Sequence, residues 1–167
     1  MNDIPVNSDK EMAFHGIGPK ITLMIIPFFV IFGVISTLLN PISQTPIPQI
    51  LMVIIGLSLL LTGLYIYLTS VIAIKKAYDE LRFLITGFYG HMRHPVYSSF
   101  ILFITPGIVC FFNSWILFII PLIFYIIYRI YIKQEESYCL AQFGEKYVHY
   151  KNNVYGILPK LKKYKPI

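Results

Sequence analysis

Eleven consecutive residues, Gly87-Phe-Tyr-Gly-His-Met-Arg-His-Pro-Val-Tyr97, carry more polar and potentially reactive side chains than any other stretch of this 167-residue chain. They lie between two strongly apolar runs. Proline fixes its own φ near the helical value and extends the residue before it, so His94-Pro95 predicts a helix beginning at Pro95. The N–H groups of Val96 and Tyr97 then face back towards Arg93 and His94. A helix start beside a cation suits an anionic group. The same spacing also fits a membrane-surface loop that merely starts a helix.

A second polar group follows the last apolar run, Arg129-Ile-Tyr-Ile-Lys-Gln-Glu135-Glu136. On a helix, residues seven apart lie about 20° apart around the axis and about 10.5 Å along it, so Arg129 and Glu136 share a face. Leu140 and Phe143 continue that stripe and are expected to pack inward. Glu136 is therefore a carboxylate among apolar neighbours and requires a cation or donors. Glu135, about 100° away on the helix, is the more exposed of the two. An Arg–Glu pair that simply closes a membrane helix is the plainer reading. His15, His91, His94 and His149 show no metal-site spacing with carboxylates, so no metal is expected, and no Ser-His or Cys-His arrangement stands out.

The elements that must position these residues follow from composition. Hydrophobic residues make up 56% of the chain and charged residues only 13%, which predicts a single all-α integral membrane domain. No Lys, Arg, Asp or Glu occurs between Ile21 and Ile74. Four spans are expected. The first runs Lys20–Leu39 and is read as retained rather than cleaved, the second Gln49–Ile74, the third Pro95–Phe112 and the fourth Trp115 to about Ile132. Residues 1–19 form a polar leader to them, and the Gly16-Ile17-Gly18 within it has no strand before it, so it is no nucleotide motif. Residues 77–86 read as an amphipathic piece, with Tyr78, Leu81 and Ile85 set against Asp79, Glu80 and Arg82. Pro106-Gly107 predicts a kink that opens a gap between the last two spans. Asn113-Ser114 predicts the turn of an antiparallel hairpin over 95–132. Gly144 stops the last helix, and Tyr147, Tyr150 and Val154 pack beyond it, the tyrosines as interfacial anchors.

Lysine and arginine are concentrated in 75–96 and after Tyr128, and are absent from both the 40–49 linker and the 113–114 turn. By the positive-inside bias, both termini, the 75–96 segment and the 133–167 segment are cytoplasmic. The basic tail, Lys160, Lys162, Lys163 and Lys165, meets anionic lipid headgroups rather than nucleic acid. Cys110 and Cys139 imply neither a disulfide framework nor a metal cluster, and no obligate protein partner is evident.

Taken together, Gly87-x-Tyr89-x-x-x-Arg93-His94-Pro95-x-Tyr97, the apolar hairpin, Glu135-Glu136 and Phe143-Gly144-x-x-Tyr147-x-x-Tyr150 resemble the isoprenylcysteine carboxyl methyltransferase family and the related phospholipid N-methyltransferases. The resemblance covers about 87–159. It implies an integral membrane enzyme that uses S-adenosylmethionine to methylate a lipophilic acceptor arriving from the bilayer. It further implies a cofactor pocket at the cytosolic face, with Gly87, Tyr89, His94, Pro95, Tyr97, Glu135 and Glu136 at or near it. Within such a pocket Glu136 would pair with the cofactor's ammonium, the Pro95 helix start would receive its carboxylate, and Arg93 or Arg129 would hold an anionic substrate group. This chain has Gly87-Phe-Tyr-Gly90 where phospholipid methyltransferases show Gly-x-Gly. Membrane sterol and steroid reductases, which bind NADPH, share an Arg-His-Pro-x-Tyr near a C-terminal hairpin. A non-enzymatic scaffold is the third alternative.

Overall fold

The computed structural model describes residues 18–80 and 83–164. The expectations for residues 1–17, for Leu81 and Arg82 and for Lys165 lie outside the described residues. Within them the chain is helical, with two isolated β-bridges and no strand. Helix α1 is Gly18–Leu38 and α2 is Gln49–Asp79. Helix α3 runs Pro95–Phe111, α4 runs Trp115–Phe143, and a short α5 covers Glu145–Asn153.

Two of these helices, α2 and α4, are long and apolar enough to cross a membrane. At 1.5 Å per residue a 29-residue helix is about 43 Å long, more than a hydrocarbon core of about 30 Å. Large apolar side chains on α2, such as Ile50, Leu61 and Ile72, are about two-thirds exposed. Rows of such residues facing outward form an apolar surface of the kind that meets a membrane or a partner. The interior joins three helices through Ile21 and Ile25 of α1, Tyr97, Ile101 and Val109 of α3, and Ile120, Phe124 and Tyr128 of α4. The α3–α4 hairpin is thus present, and α1 packs against it.

The two uncharged connections are tied to each other. Trp115 donates its backbone N–H to Ser43 O at 3.1 Å and its indole N–H to Ile42 O at 3.1 Å, while Thr45 N–H donates to Asn113 O at 3.0 Å. The turn itself depends on Asn113 at φ +49°, a left-handed conformation that asparagine tolerates.

Two expectations are corrected. The amphipathic piece at 77–86 is not a separate helix: α2 continues unbroken to Asp79, and 83–85 leave the helix to bring Phe83 against the rings of Phe143 and Tyr150. The kink expected at Pro106-Gly107 takes the form of a widened turn. Proline at 106 removes one N–H, and its ring would strike the carbonyl four residues earlier. The helix answers by widening to π geometry over Ser99–Ile104 just before it, with Thr105 N–H donating to Phe100 O. Gly107 is meanwhile pressed onto α2, where an added Cβ would lie 3.0 Å from Gly56 O and 3.0 Å from Leu60 Cγ. Gly63 is equally tight against Phe103 and Ile104. The α2–α3 seam is a close glycine contact of the kind that lets membrane helices approach.

Candidate functional site

Pro95 occupies the first helical position of α3, as its ring geometry demands, with His94 as the non-helical residue before it at φ −126° and ψ 64°. Upstream, Gly87 takes φ +60° and opens a 3₁₀ turn through Gly90, with open space where a Cβ would project. Residues 91–94 lie outside helical structure, so backbone groups here need other partners. The segment after α5 supplies them. Arg93 N–H donates to Tyr155 O at 2.8 Å and His94 N–H to Gly156 O at 2.9 Å. Lys160 N–H returns to His91 O at 2.9 Å, Tyr164 N–H to Gly90 O at 2.8 Å, and Ser98 Oγ donates to Ile157 O at 2.7 Å. Gly156 packs closely in this strap, where a Cβ would lie 3.1 Å from the Tyr128 hydroxyl.

Against this frame α4 presents two adjacent carboxylates. Glu136 Oε1 lies 2.7 Å from Arg93 Nη2 and 3.3 Å from His94 Nε2, and its Oε2 lies 2.8 Å from Lys151 Nζ. Glu135 Oε2 accepts the Tyr97 hydroxyl at 2.8 Å, and its Oε1 is 3.4 Å from His94 Nδ1. The expected difference in exposure holds, with Glu135 at 29% and Glu136 at 13% of their side-chain surface. His94 is buried with a carboxylate at each ring nitrogen. Burial alone would lower its pKa, but the hydrogen bonds to Glu135 and Glu136 and their charges outweigh it and raise it above the ordinary value. The Tyr89 hydroxyl is pushed well up, by burial first and by the charge of Glu135 second. Its backbone carbonyl accepts the Tyr150 hydroxyl at 2.6 Å, which pins the 87–90 turn onto α5.

The structure therefore brings Tyr89, Arg93, His94, Pro95, Tyr97, Glu135 and Glu136 to one end of the bundle. Arg129 is not brought there. It is an exposed residue with no ion pair to Glu136, because the cations that meet Glu136 come from α5 and from the residue before His94. Both terminal nitrogens of Arg93 are engaged as well. Its Nη1 donates to Lys151 O and Val154 O, both at 2.8 Å, so it fastens the end of α5 rather than waiting for a substrate anion. Leu140, expected to pack inward, is 47% exposed, whereas Phe143 does pack on Phe83. Tyr147 and Tyr150 are buried, not interfacial anchors, and share a cluster with Val154.

Sequence reasoning missed Lys151 and Tyr128. Tyr128 was assigned to the span, yet its ring sits 5.3 Å from that of Tyr97 and 6.0 Å from that of His94. Two buried polar atoms in this region have no protein partner, Arg93 Nε and the Tyr147 hydroxyl. No group of His, Cys, Asp and Glu among the described residues could hold a metal ion. The set joins two carboxylates to Arg93, Lys151 and His94, with the rings of Tyr97 and Tyr128 beside them. Comparison with family models, curated proteins and solved structures found no match to this chain.

Proposed function

We propose that this chain is an integral membrane methyltransferase that uses S-adenosylmethionine to methylate a lipophilic acceptor at the cytosolic face. The observation that carries the reading is the convergence of 89–97 on Glu135 and Glu136, roofed by α5 and the strap. In this reading α1 and α3, the shorter apolar helices, complete four spans with α2 and α4, and both termini are cytoplasmic.

The fit to the cofactor rests on Lys151. Its ammonium already sits 2.8 Å from Glu136 Oε2, on a side chain that is 46% exposed. The pocket thus accepts a primary ammonium at that carboxylate, and Lys151 is the removable one. S-adenosylmethionine would supply a methyl group on a positively charged sulfur. The chain's own contribution is binding and alignment: Glu136 takes the ammonium that displaces Lys151, while Glu135 holds Tyr97 and His94 in place beside it. The rings of Tyr97 and Tyr128 offer π faces to a cation, and the closely packed strap keeps water out, which strengthens each of these contacts. No strong base is needed if the acceptor is a carboxylate, which favours prenylcysteine-type O-methylation over phospholipid N-methylation.

The test incubates purified full-length protein with radiolabelled S-adenosylmethionine and a panel of prenylcysteine analogues, phospholipids and small thiols. Base-labile label in the organic extract is expected, the mark of a methyl ester. Base-stable label would indicate an amine or thioether acceptor instead. NADPH binding without methylation of any acceptor would overturn the proposal.

A further inference from the structure

A groove of about 380 Å³ lies between α2 and the 87–91 turn, lined among others by Tyr65, Ser70, Phe88, Tyr89, His91 and Lys163. Ser70 is its most telling residue. Three hydroxyls on the same helix, Ser58, Thr62 and Thr69, donate back to the carbonyl four residues earlier. Ser70 does not. It is 1% exposed and its Oγ has no hydrogen-bond partner, a state that folded proteins seldom leave unused.

The other polar groups are set above it. His91 Nδ1 lies 2.9 Å from the carbonyl of Lys160, and since a carbonyl only accepts, Nδ1 carries the hydrogen. That leaves Nε2 without a protein partner. The Lys163 stem lies on Gly90, where a Cβ would meet its Cγ at 2.9 Å, and its ammonium has no ion pair among the described residues. Ser70 stands five residues before Lys75, where charge on α2 begins, a depth of about 7.5 Å, and Tyr65 stands about 7.5 Å deeper. Tyr65 meets Phe88 edge-on at 5.9 Å. From the charged end inward, the groove offers a cation and an imidazole, then an unpaired hydroxyl, then aromatic walls.

We propose that this groove binds the headgroup and glycerol backbone of an anionic membrane phospholipid. The phosphate meets Lys163 and His91, the Ser70 hydroxyl donates to an ester carbonyl, and the first methylenes lie along Tyr65 and Phe88. The volume holds those parts and not the acyl tails, which remain in the bilayer beside α2. The proposal needs α2 to lie in a membrane and is independent of methyl transfer.

Full-length protein in a neutral detergent is titrated calorimetrically with dioctanoyl phosphatidic acid, dioctanoyl phosphatidylcholine, glycerol 3-phosphate and S-adenosylmethionine. Phosphatidic acid is expected to bind about tenfold more tightly than phosphatidylcholine or glycerol 3-phosphate. Lys163→Gln, a change at an exposed side chain, should weaken it about fivefold, and Ser70→Ala about threefold without lowering the melting temperature of the lipid-free protein. Equal binding of the two lipids would reduce the groove to unselective apolar contact. Equal binding of glycerol 3-phosphate would make the ligand a soluble phosphate. Competition by S-adenosylmethionine would give the groove to the cofactor, and an unchanged Lys163→Gln variant would move the lipid elsewhere. Any of these overturns the proposal.

Discussion

Arg93 and Glu136, 43 residues apart in the chain, meet at 2.7 Å, and both side chains are about one-seventh exposed. This contact joins the residues before α3 to the end of α4, and the other two bonds of Arg93 carry it on to α5. Breaking a largely buried pair leaves one charge stranded, at a cost of about 3–5 kcal/mol. Arg93→Ala is therefore expected to lower the thermal midpoint in detergent steeply. Arg93→Lys keeps the charge but loses the two Nη1 bonds, and should still cost about 1–3 kcal/mol. A wild-type midpoint for Arg93→Lys would mean that the guanidinium fork fastens nothing.

Stability should depend on pH through His94. Its folded pKa is raised, so its contribution is complete below the ordinary value of 6.5 and is lost as pH rises through the folded value. Denaturation midpoints are expected to fall as the pH rises above the ordinary value of 6.5, and His94→Gln should flatten that decline. A midpoint that rises with pH over this window in the wild type would contradict the double carboxylate contact.

If Lys151 holds the place of a ligand ammonium, removing it should help the ligand. Lys151→Met is expected to tighten S-adenosylmethionine binding several-fold, measured by calorimetric titration. Glu136→Gln should weaken it at least about tenfold, the value of a charge-assisted contact in a dry site. Glu135→Gln should have the smaller effect. The opposite order for the two carboxylates would place the ammonium on Glu135.

The glycine seam makes a prediction about packing alone. Gly107→Leu puts a side chain where backbone already sits at 3.0 Å and should prevent α2 and α3 from closing. Gly33 on α1 has nothing within 4 Å of an added Cβ, so Gly33→Ala should be tolerated, or even stabilise the helix by up to about 1 kcal/mol. Protease resistance of the two variants in proteoliposomes compares them directly.

Orientation is tested with cysteines in a chain whose Cys110 and Cys139 have been replaced. Ser43 is buried and unsuited to labelling, whereas Ile42 beside it is 77% exposed and Asn152 on α5 is exposed. Ile42→Cys and Asn152→Cys are expected to react from opposite sides of sealed vesicles. Reaction from the same side would remove the four-span arrangement.

Much of the scaffold was legible because its signals are local. The charge-free stretch 21–74, the His94-Pro95 start of α3, the Asn113-Ser114 turn and the Gly144 stop each act within one or two residues of themselves. The partners of the acidic pair were not legible. Arg129 shares a helix face with Glu136 and was the natural choice, but Arg93 and Lys151 reach it through the fold, and no periodicity announces such contacts. The strap at 154–164 is hidden for the same reason. It bonds backbone to backbone, so its side chains bear little trace of where it lies. Pro106 signalled a distortion correctly, yet whether the helix bends or widens depends on Gly56 and Leu60 across the seam.

The strap also sets an order on the making of the molecule. Translation delivers α1 to α4 well before 155–164. Until then Arg93 N–H, His94 N–H and the carbonyls of Gly90 and His91 have only water to bond to. A nascent chain can therefore form its helices while this end of the bundle stays open. Residues 155–164 complete that frame, so a chain cut after α5 would lack the partners of these four groups.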